Sequence, residues 1–146
     1  MGSRRKGRIL AFQAIFSWEF TRANLQELCH FPWLDPEKRE AYGEDTLTFA
    51  KYLLLGTIEN LETVDAAIKN HLENWDFQRL SKVDLAIIRM SAYSLLFQKD
   101  IPANVTIDEA IDISKEYSAE DSYKFVNGVL DGINRDLVKK WNPQGE

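Results

Sequence analysis

The densest cluster of chemically capable side chains is Arg4, Arg5, Lys6 and Arg8, four cations within five positions. Guanidinium and ammonium groups at that spacing suit phosphate oxygens, an acidic protein surface or anionic lipid. They equally suit a solvated, partly disordered terminus. Cys29 and His30 have the residue types of a nucleophile–base pair. Neighbours on a helix point about 100° apart, which is a poor arrangement for proton transfer. Asp108 and Glu109 are paired carboxylates, better explained as dipole and cap partners in a first helical turn. His30 and His71 are the only histidines and stand far apart, without a metal-ligand partner at helical spacing. No phosphate loop, dinucleotide-binding glycine fingerprint or HExxH is present. The chain is therefore expected to be no enzyme and to carry no metal or cofactor.

Those residues sit in a chain of 146, of which 45% are hydrophobic and 28% charged, an ordinary composition for one globular domain. A single cysteine excludes an internal disulfide. The longest apolar runs, such as Tyr52 to Leu55, are far too short to cross a bilayer, and no apolar stretch of a secretory signal follows the basic start. A soluble cytoplasmic setting is expected. The net charge of −5 argues against nucleic acid, but it averages two unlike parts. Residues 1–22 carry five bases and one acid, a local +4, which leaves −9 on the remainder. A basic arm on an acidic body is the pattern of an interaction tail.

The elements that must position these groups are helical throughout. Ile9, Phe12, Ile15, Phe16 and Phe20 recur at intervals of three and four and predict a first helix from Ile9. The stretch Asn24 to Phe31 is short and weak. Residues 31–44 contain Pro32, Pro36 and Gly43 and read as a loop with at most one helical turn. Asp45 is placed to cap a helix bearing Leu47, Ala50, Leu54, Ile58 and Leu61, and Thr63 to restart one that ends near Trp75. Ser81-Lys82-Val83-Asp84 resembles a capping box and opens a helix apolar around much of its circumference, which predicts a central position. Pro102 stops it. Thr106 to Glu109 is a full capping box for a helix ending at Tyr117-Ser118, and a last helix runs from about Asp121 to Leu137. The expected fold is an all-α bundle of about seven helices. Residues 1–8 are taken as the basic arm, 9–140 as one helical domain and 141–146 as a flexible tail.

From Ile101 the chain reads IPANVTIDEAIDISKEYSAEDSYKFVNGVLD. The VTIDEAI and EDSYKFVNGVLD blocks, the start RRKGR with AFQAIFSWEF, and RLSKVDLAIIRMSAYSLLF resemble, in order, the blocks of the NusB family of bacterial antitermination factors. The likeness covers most of the chain except Asn24 to Glu44. It implies two packed helical subbundles and a partner, the small-subunit ribosomal protein NusE. It also implies binding of the pair to boxA in nascent ribosomal RNA, within an antitermination complex on RNA polymerase.

On this likeness Asp121, Lys124 and Phe125 join Arg4, Arg5, Lys6 and Arg8 as RNA-face candidates. Phe125 also lies on the inward stripe, and Asp121 also sits where a helix cap belongs. Phe16, Gln78 and Asp84 match the family's NusE contact. Four neutralised phosphates on a single strand would give a log–log salt slope near −3, at about −0.7 per contact. Gly128 and Gly132 each cost about 1 kcal/mol in a helix, which predicts close approach of another helix or access for an RNA backbone. Ser118 stands where the family often has glycine, so a left-handed turn there would be uncomfortable. Other readings stay open: a helical interaction module whose basic arm meets an acidic partner, a homodimer, and the domain that fronts certain rRNA cytosine-5 methyltransferases. The last would require an excised fragment.

Overall fold

A computed structural model describes residues 2–73 and 76–140 together with the backbone of Trp141. Eight α-helices and one short 3-10 helix make up its regular structure, with no strand among the described residues. They are α1 (Ser3–Thr21), α2 (Leu25–Leu28), α3 (Pro36–Tyr42), α4 (Glu44–Glu59) and α5 (Leu61–Lys69), then the 3-10 helix (Phe77–Arg79), α6 (Lys82–Phe97), α7 (Ala103–Tyr117) and α8 (Ser122–Trp141). Helix α6 is the central element and packs on α1, α4, α5, α7 and α8. That position follows from its sequence. Leu85, Ala86, Ile87, Ile88, Met90 and Ala92 are buried around nearly its whole circumference. All of these but Leu85 join Leu10, Ile15, Leu53, Leu54, Ile68 and Leu130 in one continuous core. Helices α1, α3 and α4 pack as one group and α5, α7 and α8 as another, joined through α6. Helix α5 ends at Lys69, short of the expected end near Trp75, a residue that lies outside the described ones, as does the tail beyond Trp141.

Several boundaries depart from the sequence pattern for identifiable reasons. The first helix begins at Ser3 rather than Ile9, so the basic residues form its opening turns instead of a separate arm. Cations at a helix N-terminus oppose the backbone dipole. Glu109 and Asp112 of α7 offset that cost by pairing with Arg5.

Helix α7 begins at Ala103, not Thr106, because Pro102 sits at its N-cap with φ −58° and its carbonyl accepts from Val105 and Thr106. The Thr106 hydroxyl is therefore buried inside the helix without a partner, and Glu109 turns toward α1 instead of capping. The expected capping box does not form. Ser81 does cap α6, its Oγ accepting from the Asp84 amide at 3.3 Å. The short, weak stretch from Asn24 is the one-turn helix α2, and the residues 31–44 that read as a loop with one turn hold the seven-residue α3. Asn24 accepts from Gln26 N–H, and Asp35 from Lys38 N–H at 2.8 Å with Pro36 at the first helical position. Asp45 falls in the first turn of α4 behind Gly43, and α5 restarts at Leu61, two residues before Thr63.

Ser118 is extended (φ −99°, ψ 174°), so no left-handed strain arises there. The left-handed residue of that connection is Asp121, at φ 71°. The two glycines of α8 also divide. A Cβ on Gly132 would lie 2.5 Å from His71 Nδ1, so close approach accounts for it, though the neighbour is a side chain following α5. A Cβ on Gly128 would meet open space.

Candidate nucleic-acid interface

The four cations of the opening turns of α1 have different fates. Arg4 and Lys6 are exposed, and the Arg4 guanidinium lies 4.5 Å from the centre of the Phe49 ring of α4. Arg5 is clamped by α7: its Nε donates to Glu109 Oε1 at 3.2 Å and its Nη2 to Glu109 Oε2 and, at 2.6 Å, Asp112 Oδ2. The hydrogen bond that Glu109 accepts, and its charge, hold the Arg5 guanidinium above its ordinary pKa. Arg8 is buried, 3.5 Å from Glu109 Oε1, with its guanidinium 5.3 Å from the centre of the Phe49 ring. Burial lowers its pKa, and the Glu109 charge acts against that. Arg8 thus fastens α1 to α7 and is closed to solvent, whereas Arg4 and Lys6 can reach a ligand as they stand.

Helix α7 joins this end of α1 to the start of α8. Three residues beyond Asp112, a rise of about 4.5 Å, Lys115 places its ammonium 4.8 Å from the Tyr123 ring of α8. Next to Tyr123, the Lys124 Nζ lies 3.6 Å from Asp121 Oδ1, and both side chains are about two-thirds exposed. The left-handed backbone at Asp121 projects that carboxylate from the turn before α8; aspartate and asparagine tolerate such a conformation better than most residues. Phe125 is half-buried and packs against the core, so its place on the inward stripe carries through. Two concavities flank the opening turns of α1. One, of about 690 Å³, includes Arg4, Arg5, Phe49, Gln98, Pro102 and Val105 in its lining. The other, of about 270 Å³, is lined by Lys6, Ile9, Ala41, Tyr42 and Tyr117.

The opposite end of α1 is organised around carboxylates. Arg89 of α6 donates to both oxygens of Asp65 at 2.9 Å and to Glu19 Oε1 at 2.8 Å, and Lys82 lies 3.5 Å from Glu19. Burial alone would raise the Glu19 carboxyl, but the hydrogen bond and charge of Arg89 hold it below its ordinary value. The Arg89 guanidinium lies 5.6 Å from the Phe77 ring, next to exposed Gln78. One corner therefore gathers the elements of Phe16, Gln78 and Asp84. Phe16 is half-buried, with its ring edge-to-face at 5.0 Å on Phe20, which is 62% exposed. Asp84 is 7% exposed, and its Oδ1 is buried without a hydrogen-bond partner.

Sequence reasoning missed the Glu109–Asp112 clamp, the Arg89 hub, and Phe49, Tyr42 and Tyr117 as neighbours of the basic turns. For Glu109 the signal was present, since a carboxylate on α7 spaced three residues from Asp112 presents a paired acidic edge. No local signal marks Arg89, whose partners are distant in sequence.

The fold and this division of charge define an all-helical bundle whose first helix leaves cations exposed at one end and has its carboxylate held by cations of α6 at the other. The sequence profile of the NusB family matches residues 5–135, and the chain belongs to that family. It is 49% identical over 130 residues to the transcription antitermination protein NusB of Treponema pallidum, covering 89% of this chain and 91% of that one. The structure of T. maritima NusB superposes with a TM-score of 0.80 at 44% identity, covering 91% of both chains. A second solved structure, of antitermination factors NusB and NusE in complex with double-stranded RNA, matches with a TM-score of 0.76 at 25% identity, over 93% of this chain and 98% of that one.

Proposed function

We propose that the chain is a non-enzymatic transcription antitermination factor that pairs with NusE and binds boxA-type single-stranded RNA. In this reading it acts in the cytoplasm, in an antitermination complex on RNA polymerase, and uses no cofactor. The observation that carries the reading is the placement of exposed Arg4 and Lys6 on a rigid helix beside α7, which leads to Tyr123, Lys124 and Asp121. Cations position a phosphate backbone, and rings with polar neighbours read unpaired bases. The corner around Phe16, Gln78 and Asp84 is where NusE docks, or a second copy of the chain when NusE is absent. Exposed Gln78 offers a donor and an acceptor there, and exposed Phe20 supplies apolar area. No helix among the described residues is long and apolar enough to cross a membrane.

Exposed Arg4, Lys6 and Lys124 set the expected salt slope near −2 rather than −3, at about −0.7 per phosphate on a single strand. The test titrates labelled boxA-like and scrambled RNA with the chain, alone and with NusE, across a range of salt. A preference for the boxA-like strand that strengthens with NusE is expected. Replacing Arg4 and Lys6 together by alanine flattens the slope to about −0.7 with the helicity unchanged. A slope unmoved by that double variant, or no sequence preference with NusE present, overturns the reading.

A further inference from the structure

The smaller concavity beside α1 lies between three elements. Ile9 of α1, 7% exposed, is among its lining residues. Tyr117, the last residue of α7, stands edge-to-face on Phe12 at 5.2 Å and is 39% exposed, so its ring is fixed while part of it stays open to solvent. Tyr42, the last residue of α3, forms a further part of the wall and is half-buried. Its phenol is close enough to add to the upward shift of the Tyr117 hydroxyl, which is due first to burial and then to Glu116. Lys6 stands at this site with no ion pair among the described residues.

Two phenol rings offer flat faces and hydroxyls that donate and accept. An ammonium beside them adds a charge for an anion. That combination matches a planar heteroaromatic group with a polar edge and a phosphate attached. A volume of about 270 Å³ is at the bottom of the range for small-ligand sites and suits one ring system rather than a peptide segment. The site is also continuous with the proposed interface: Lys6 lies in the same opening turns as Arg4, and Tyr117 precedes Asp121 by four residues.

We propose that the slot between Tyr42 and Tyr117 takes a single unstacked base of the bound RNA strand, with Lys6 on the adjoining phosphate. This rests on the RNA-binding reading above and adds to it a position where a base is read. One wall comes from α3, the other from the end of α7, so the base would be read between two helices.

The experiment replaces the bases of the boxA-like strand one at a time by 2-aminopurine, whose fluorescence is quenched on stacking. One position is expected to be quenched by the wild-type chain and released in Tyr42→Ala, with RNA affinity falling about 5- to 100-fold. Tyr42→Phe, which keeps the ring, retains the quenching. Tyr117→Leu, on the other wall, gives the same release as Tyr42→Ala and serves as an independent variant. An abasic site at that position weakens the wild type by the same factor and adds nothing in Tyr42→Ala. If the wild type binds RNA with a slope near −2 but no position responds to Tyr42 or Tyr117, the slot proposal fails and the RNA reading stands. If the wild type shows no salt-dependent RNA binding, the parent reading fails. Loss of NusE binding in Tyr42→Ala with RNA affinity unchanged would assign the slot to protein and overturn the proposal.

Discussion

The two ends of α1 solve the same electrostatic problem with opposite signs. At the N-terminal end the helix carries the cations, and α7 supplies Glu109 and Asp112 to hold Arg5 and Arg8. At the C-terminal end the helix carries the carboxylate Glu19, and α6 supplies Arg89 and Lys82. In each case one buried arginine is neutralised by acid from another helix, which fastens α1 to the bundle and fixes its register. What differs is the remainder. Beyond the clamp, the first end leaves Arg4 and Lys6 exposed; the second leaves Gln78 and Phe20 exposed. The clamps are structural, and the residues just outside them are available to partners.

The largest effect should come from cutting the second clamp. Arg89→Met leaves Asp65 without its cation and Glu19 with only Lys82 and Arg22, and unfolding in denaturant should show a loss of about 3–5 kcal/mol. The same clamp predicts a pH dependence. The folded pKa of Glu19 lies below its unfolded value, so its contribution is complete above the ordinary carboxylate range. It is lost as pH falls through the depressed value. Stability of the wild type measured below about pH 4.5 should therefore fall more steeply than that of Arg89→Met.

Cutting the first clamp should cost less and change binding as well. Glu109→Gln leaves Arg8 buried without a counter-charge and should lower stability by about 2–3 kcal/mol. It also loosens Arg5, which keeps only Asp112, so the RNA salt slope should steepen by up to about 0.7. An unchanged slope would show that Arg5 stays out of reach of phosphate when held by Asp112 alone. Asp112→Asn isolates the exposed part of the clamp: it should leave stability within about 0.5 kcal/mol while moving the slope in the same direction.

The smallest effects concern α8. Gly128→Ala should stabilise the chain by about 1 kcal/mol, because the new methyl meets open space and helix propensity improves. Gly132→Ala should destabilise it despite the same propensity gain, because His71 is held in place by a 2.7 Å contact with Asp136. Thermal melts of the two variants should therefore shift in opposite directions.

Much of the fold was legible because the signals were local. The three-and-four spacing of Ile9, Phe12, Ile15 and Phe16, the largely apolar Leu85 to Ala92 stretch, and Ser81 as a cap each depend only on neighbours within a turn or two. The misread pieces were of two kinds. Asp35-Pro36 carried a valid helix start that the surrounding prolines and charges obscured. Thr106 to Glu109 carried a valid capping box that lost to an earlier start at Pro102 and to a distant demand on Glu109. Of the candidate interface, Arg4, Lys6, Lys124 and Asp121 were legible as exposed charge, and the family likeness directed attention to Phe16, Gln78 and Asp84. The burial of Arg8 was not legible, since arginine at that position reads like its neighbours until Phe49 and Glu109 close over it.

By itself, then, the amino-acid sequence determined an all-helical chain, the uneven distribution of its charge and the centrality of α6, because hydrophobic period, local charge and capping are properties of short segments. Only the tertiary structure decided which cations are free and which are fastened. Arg5 and Glu109 are 104 positions apart, and Arg89 and Glu19 are 70 apart. The energy of an ion pair depends on the burial and partners found at the meeting point of two helices, and those exist only once the bundle has closed.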